Sequence, residues 1–484
     1  MTPKPFADLS LASPELFLAA VAFSVLVADL VFPRTWRKEI VLLAGLGLVA
    51  ALFPTARLWG RGPASEFSGA LLVDNLAVAL KLVFVVAGAM TVLMSADYLI
   101  GLRKGFGEYF ALLCFFVLAL CFMASAGDLI VLYIAFELSS ITGYLLAAWL
   151  RDDPKSNEAG LKYFIYGAAA SGLMLFGLSL LYGLTGTLEV RALADRLTAN
   201  PTVLGGVAAA MVLGGLGYKL AMWPFHWWAP DVYEGAPTSV TAFLSVGPKI
   251  AGLALLIRLM SALQSTAPDA WPAVVGFLAV ATMFTGNLLA IRQTNIKRML
   301  AYSSIAHAGY LLIGVVVAWF SPVGLQALVF YAAAYLFMNL GAFAVALIVE
   351  TASGDSLIAS FTGLGRRAPA LAAAMTVFLL SLTGIPPTGG FVGKLLLFGA
   401  AISVPRLWLL AVAGVANSAI SLYYYMNIAR KMYLVEGTSE PPVKAPRTLV
   451  AAVVVAAVGI LVMGIAPQAF TAAAELSSRA LASL

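Results

Sequence analysis

The chain has 484 residues, 62% of them hydrophobic and only 11% charged, against about 25% charged in a soluble globular domain. That balance excludes a soluble protein, a disordered chain and a disulfide-stapled secreted domain, and the continuous apolar runs exclude a β-barrel, whose strands alternate polar and apolar residues. The formal net charge of +6 then reads as loop charge that orients the chain in a bilayer, and not as a nucleic-acid surface.

A spanning helix needs about 20 apolar residues. Apolar runs between polar breaks predict fourteen in chain order, at 14–32, 40–58, 75–98, 108–126, 128–150, 160–184, 202–222, 239–260, 271–291, 298–318, 324–349, 369–400, 407–428 and 449–470. The fold class expected is an all-α polytopic membrane protein. The seventh run leads into Pro224, Pro230 and Pro237 before the eighth begins. The twelfth is too long for one plain span and is interrupted by Gly384, Pro386, Pro387, Gly389 and Gly390. Both read as broken helices. Leu188–Ala199 is too charged to span and is expected as a short surface helix. Met1–Ser13 lacks a basic run followed by a cleavage site, so the start is expected to be uncleaved.

Loops after odd-numbered helices hold sixteen lysines and arginines, among them Arg34, Arg103, Lys104 and Lys297, and the opposite loops hold eight, among them Lys4 and Arg258. The positive-inside rule assigns the richer side to the cytoplasm, which puts both termini on the outer side, as an even helix count requires. Five cations remain inside apolar spans: Lys81, Lys162, Lys219, Lys249 and Lys394. None is an arginine. Arginine keeps its charge under burial, whereas a buried lysine can exchange a proton.

An ionisable group within a span is expensive, at least about 2.5–3.5 kcal/mol at the centre, and is read by default as functional. Glu137 is the one carboxylate near the middle of a span, the fifth; the bland reading is a protonated Glu bonded to a neighbouring helix. Lys219 lies just before the break of the seventh helix, Lys249 beside the Gly247-Pro248 weakness of the eighth, and Lys394 after the Gly/Pro cluster of the twelfth. Broken helices are tolerated where they line a polar cavity. For Lys249 and Lys394 the alternative is snorkelling to an interface, and for Lys81 and Lys162, nearer span ends, it is at least as good an account. His307, mid-span in the tenth helix, suits proton relay through either nitrogen or a plain helix–helix hydrogen bond. His226 falls in the aromatic loop Trp223–Trp228 and reads as an interface residue. Two histidines and two cysteines, with no CxxC pattern, give no metal or redox signature.

Lys219 and Lys394 are 175 residues apart, each in a broken helix. Helices four to eight and nine to thirteen then form matching five-helix units, and because five is odd the second is inverted in the membrane. The expected organisation is an N-terminal three-helix segment over 1–107, a first repeat over 108–260 with its broken helix near 202–237, a second inverted repeat over 271–428 with its broken helix at 369–400, and a C-terminal helix and tail over 429–484. Broken helices at equivalent places in inverted halves point to a transport path at the midplane. Glu137, Lys219, Lys249, His307 and Lys394 would line it. No nucleotide or redox site is legible, so the driving energy is expected from a partner.

Three segments then carry a resemblance: Phe225–Ser245 (FHWWAPDVYEGAPTSVTAFLS), Arg298–Tyr310 (RMLAYSSIAHAGY) and Ser381–Lys394 (SLTGIPPTGGFVGK). They resemble subunit N of respiratory complex I, one of the antiporter-like membrane subunits of the bacterial NADH–quinone oxidoreductase, and the likeness runs over nearly the whole chain. It implies a proton-pumping subunit of the bacterial inner membrane, with Glu137 and Lys219 as its charged pair, Lys249 and His307 as its central relay, Lys394 as the outlet-side lysine and Lys162 as the sixth-helix lysine. It implies sister antiporter-like subunits, the lipid bilayer and protons as partners, with no nucleic acid. It also implies no cofactor in this chain, with NADH, FMN, iron–sulfur clusters and quinone in partner subunits. Lysine at 394 resembles subunits N and L and not M, and the chain stops short of the long lateral helix of L. A related multisubunit cation/proton antiporter is the nearest alternative, and a structural subunit with non-conducting lysines is the other.

Overall fold

A computed structural model describes residues 8–33, 36–100, 106–199, 202–436 and 443–479. The loop cations Lys4, Arg34, Arg103 and Lys104 lie outside the described residues. Among the described residues the twenty α-helices are α1 (Ser13–Val31), α2 (Arg37–Ala56), α3 (Asn75–Ile100), α4 (Phe106–Ser125), α5 (Leu129–Ala147), α6 (Pro154–Thr185), α7 (Val190–Ala199), α8 (Val203–Leu220), α9 (Trp228–Gly235), α10 (Thr238–Arg258), α11 (Met260–Thr266), α12 (Ala270–Ala290), α13 (Ile296–Ala318), α14 (Val323–Ser353), α15 (Leu364–Arg367), α16 (Pro369–Thr383), α17 (Gly389–Ser403), α18 (Trp408–Leu434), α19 (Arg447–Ile465) and α20 (Gln468–Ser478). Thirteen of them are long and apolar enough to cross a membrane, and the short apolar helices α16 and α17 divide the span predicted at 369–400. The chain is a multi-pass membrane protein.

Local chemistry sets the helix ends. Asp128 caps α5, Asp153 caps α6 ahead of Pro154, and Asn295 caps α13, each side chain accepting a backbone N–H of the first turn. Burial then sorts the helices. All of α10 is buried, and α13 and α14 nearly so, which makes these three the core of the bundle. Helices α1, α2 and α6 keep bare apolar faces, with Leu42, Phe53, Leu161 and Phe176 exposed, as expected of surfaces that lipid covers. Helix α7 confirms the short amphipathic segment, its buried face being Val190, Leu193 and Leu197.

Both expected breaks are present. Helix α8 stops after Lys219 and Leu220, Ala221 turns left-handed with φ 52°, and the chain passes a cis Trp223–Pro224 bond before α9. Helix α16 stops at Thr383, Gly384 takes φ 95°, and a cis Pro386–Pro387 bond precedes α17. Lys219 therefore lies before its break and Lys394 after its own.

Four features depart from the expectations. A two-stranded hairpin, β1 (Ala64–Glu66) and β2 (Leu71–Val73), joins α2 to α3 with Ser65 opposite Leu72. Lys81 does not snorkel: it is fully buried, its Nζ 2.6 Å from Oε1 of the equally buried Glu15. Arg258, counted among the loop cations, is buried at the end of α10 and bonds Asp74 at 2.5 and 3.0 Å and the Ala124 carbonyl at 3.0 Å. Burial alone would push the Asp74 carboxyl up, but the Arg258 guanidinium and the Ala77 N–H hold it below the usual carboxylate range. His226, expected at an interface, is only 2% exposed, although its neighbour Trp227 is 65% exposed.

Candidate functional site

Glu137 sits half-buried on α5 and accepts the Ser171 hydroxyl of α6, which also meets Tyr133 Oη at 3.0 Å. Lys219, on the last turn of α8, is buried and donates to Ser140 Oγ at 2.9 Å, with its Nζ 4.6 Å from the centre of the Phe136 ring. Phe136 and Ser140 are one turn apart on α5, so a single helix face cradles the ammonium. Ser140 gives its own hydrogen to the Phe136 carbonyl at 2.8 Å and so faces Lys219 as an acceptor. Among the described residues Glu137 of α5 and Lys219 of α8 form no direct ion pair.

The next group is built on α13. Lys249 of α10 donates to Ser304, and Ser304 in turn donates to the Ser245 carbonyl at 3.4 Å. One turn on, His307 Nδ1 meets Tyr331 Oη at 2.7 Å and Nε2 meets Tyr425 Oη at 3.4 Å. The Tyr335 ring stacks at 5.1 Å, and Tyr425 also bonds Ser303. A phenol either donates or accepts, so both imidazole tautomers find partners here. Helices α10, α13, α14 and α18 thus meet at one buried polar hub.

Lys394 has three acceptors for its three hydrogens: the Leu382 and Thr383 carbonyls at 2.9 Å each and Ser418 Oγ at 3.1 Å. The carbonyls are the free C-terminal groups of α16, where the helix dipole favours a cation. The break is what exposes them. Gly384 is needed at the crossing, because a Cβ there would lie 2.8 Å from Lys394 Cδ at a φ only glycine adopts easily. The Tyr310 ring lies 4.4 Å from the Lys394 Nζ.

Lys162 is placed elsewhere. Its side chain is 37% exposed and pairs with Asp231 at 2.6 Å and Glu158 at 2.7 Å. Arg298 joins the same cluster, 2.6 Å from Asp231 and 3.2 Å from Glu234. Burial raises the Asp231 carboxyl, but the hydrogen bonds and charges of Lys162 and Arg298 outweigh it and keep it below the ordinary carboxylate range. Sequence reading missed Asp231 as the partner of Lys162, and Arg298 and Glu234 as the rest of the cluster, although two acids directly after a helix break are a usable signal. It also missed Ser140, Ser171, Ser304, Tyr331 and Tyr425, since isolated hydroxyls carry no spacing pattern. Among the described residues no group of three or more His, Cys, Asp or Glu converges to hold a metal.

The family model described as NADH:quinone oxidoreductase/Mrp antiporter, TM, matches residues 126–421, a stretch that runs from before Glu137 to beyond Lys394. NADH-quinone oxidoreductase subunit N of Trichlorobacter lovleyi is 41% identical over 470 residues, covering 95% of either chain. The chain belongs to the NADH-quinone oxidoreductase subunit N family. Its Heliobacterium modesticaldum relative of the same name is 40% identical over 98% of this chain and the whole of the other. Among solved structures, a chain of respiratory complex I from Thermus thermophilus is 32% identical with a TM-score of 0.81, covering 95% of this chain and 98% of that one. A chain of the Mrp complex from Dietzia sp. shares the fold, with a TM-score of 0.86 at 22% identity over 98% of each chain.

Proposed function

We propose that this subunit N family member is a proton-translocating, antiporter-like subunit in the membrane arm of a bacterial NADH–quinone oxidoreductase. In this reading it lies in the inner membrane with both termini on the periplasmic side, beside sister antiporter-like subunits. Partner subunits carry FMN, iron–sulfur clusters and the NADH and quinone sites. The chain is organised as an N-terminal segment, two inverted five-helix repeats and a C-terminal helix. Glu137, Lys219, Lys249, His307 and Lys394 are its proton-carrying groups, and Lys162 acts at their margin through Asp231.

The observation that carries the reading is that Lys219, Lys249, His307 and Lys394 are all buried and each meets a hydroxyl or carbonyl that can pass or hold a proton. Seating an unpaired ammonium in apolar surroundings is costly, and these cradles offset that cost without neutralising the group by a permanent carboxylate partner. Between Lys249 and His307 the bonds are Lys249 to Ser304 on one side and Ser303 to Tyr425 to His307 on the other, with no side-chain bond among the described residues joining the neighbouring Ser304 and Ser303. Between Lys219 and Lys249, and between His307 and Lys394, no side-chain bond among the described residues closes the gap, and water must bridge it. Proton occupancy of neighbouring sites is coupled, because like charges in a low-dielectric interior repel. Moving a charge against the membrane potential costs about 2.3 kcal/mol per 100 mV, which quinone reduction in a partner would supply.

The test is NADH-driven proton uptake by inverted vesicles carrying Lys219→Ala. Assembly is followed on a native gel, and the partner redox module by ferricyanide reduction. Pumping and quinone-linked turnover are expected to collapse in an assembled complex. Normal pumping would make the lysines scaffolding.

A further inference from the structure

At one end of the bundle, on the face the loop charges assign to the cytoplasm, a cavity of about 680 Å³ opens with a mostly polar lining. Its floor is formed by Thr238 of α10, Lys297 of α13 and Glu350 of α14. The Thr238 hydroxyl donates to one Glu350 oxygen and the Ser356 hydroxyl to the other at 2.7 Å. Lys297 is nearly buried; it donates to the Ala236 carbonyl at 2.8 Å and stands 3.7 Å from Glu350. The pair is thus an ion contact too long for a hydrogen bond.

The same three helices repeat a pattern with depth. One turn inward from Thr238, Lys297 and Glu350 stand Ala242, Ala301 and Ala346, all buried alanines. Further in stand Ser245, Ser304 and Asn339, where Asn339 bonds Ser245 and Ser304 bonds the Ser245 carbonyl. Ser304 then receives Lys249. A charged mouth, a collar of the smallest side chains and a hydroxyl–amide layer thus lie in series. Helix geometry puts the mouth and inner layer of α10 and of α13, seven residues apart, about 10 Å apart. Leucines at the collar would block it, whereas alanines put the least side chain in the way of a file of water.

We infer that this column is the proton inlet of the chain and that Glu350 is its entry group, restrained by Lys297. The inference rests on the pumping reading above and adds where protons enter. Glu350 takes a proton from a hydronium ion in the cavity, leaving water and a neutral carboxyl. The neutral carboxyl no longer attracts Lys297, and water enters the collar. The Glu350 O–H then breaks as an N–H forms on the unprotonated Lys249 amine through the water file, and the carboxylate is restored.

Two measurements on the assembled complex in membrane vesicles test this. Glu350→Gln is expected to slow NADH-driven proton uptake by about a hundredfold, the scale of a lost proton-transfer group, and Glu350→Asp to recover much of it. Ala301→Leu, which fills the collar, is expected to slow uptake at least tenfold in a complex that still assembles on a native gel and reduces ferricyanide, while Ala301→Gly keeps it. Wild-type uptake in Glu350→Gln, no recovery in Glu350→Asp, or wild-type uptake in Ala301→Leu would each overturn the inlet. Lys219→Ala is measured alongside. If it abolishes pumping while Glu350→Gln does not, only the inlet fails; if it pumps normally, the underlying reading fails.

Discussion

Removing one member of the Glu15–Lys81 pair gives the most direct check on the packing of the N-terminal helices. Both side chains are at most 1% exposed, and the charged atoms stand 2.6 Å apart. Neither the Glu15 oxygens nor Lys81 Nζ has a further hydrogen-bond partner among the described residues. Glu15→Gln or Lys81→Met therefore leaves a buried charge with nothing opposite it, for which breaking such pairs costs about 3–5 kcal/mol. That is about two to nearly four decades in the opening equilibrium. Replacing both with apolar residues, Glu15→Leu with Lys81→Met, removes both desolvation penalties and is expected to be near neutral. Cys114 and Cys121, the chain's two cysteines, are fully buried on α4, so thiol labelling of the purified chain in detergent reads opening of this region directly. Each single variant is expected to label at least about a hundredfold faster than wild type and the double variant close to it. Single variants that label at the wild-type rate, or a double variant worse than either, would refute an ion pair that matters only when half-removed.

Ser140→Ala deletes the acceptor of Lys219, a hydrogen bond to a charged group of about 1.5–3 kcal/mol. Proton uptake is expected to fall by tenfold or more while Ser140→Thr keeps it, and equal rates in both would detach Ser140 from the path. Gly384→Ala forces an L residue into the left-handed region, at about 1–2 kcal/mol, and drives its Cβ towards Lys394 Cδ. Pumping is expected to drop in an assembled complex, and unaltered pumping would show that the α16 carbonyls do not set the Lys394 position. For Asp74–Arg258 the sign follows from a depressed carboxyl. The pair's contribution is complete above the unfolded carboxylate value near 3.8 and is lost only as pH falls through the lower folded value. Asp74→Asn should therefore destabilise the chain equally at pH 6 and pH 8 in the thiol assay, and a cost that fades between those pH values would contradict this assignment.

The spans were legible because apolar length is a local property. Each predicted run meets a helix within a few residues, except that α6 begins earlier at Pro154 and both α14 and α18 run on, to Ser353 and Leu434. The breaks at Pro224 and Pro387 were legible for the same reason: a proline or glycine cluster interrupts a helix wherever the chain goes next. The β1–β2 hairpin was not, since three-residue strands carry almost no periodic signal.

What the sequence determined by itself was the membrane class, the run of spans with its two breaks, and the short roster of charges those spans must house. Tertiary structure decided what each charge does. Lys81 and Lys162 look alike in sequence, yet one is sealed against Glu15 and the other sits half in solvent between Glu158 and Asp231. Arg258 reads as a loop cation until α3 brings Asp74 to it from 184 residues away. Lys219 finds Ser140 across 79 residues, and Lys394 finds carbonyls that exist as free acceptors only because α16 ends there. The cost of a charge in a bilayer is written in the residue type, but its compensation comes from whichever helix packs opposite, and helix packing is a property of the whole chain.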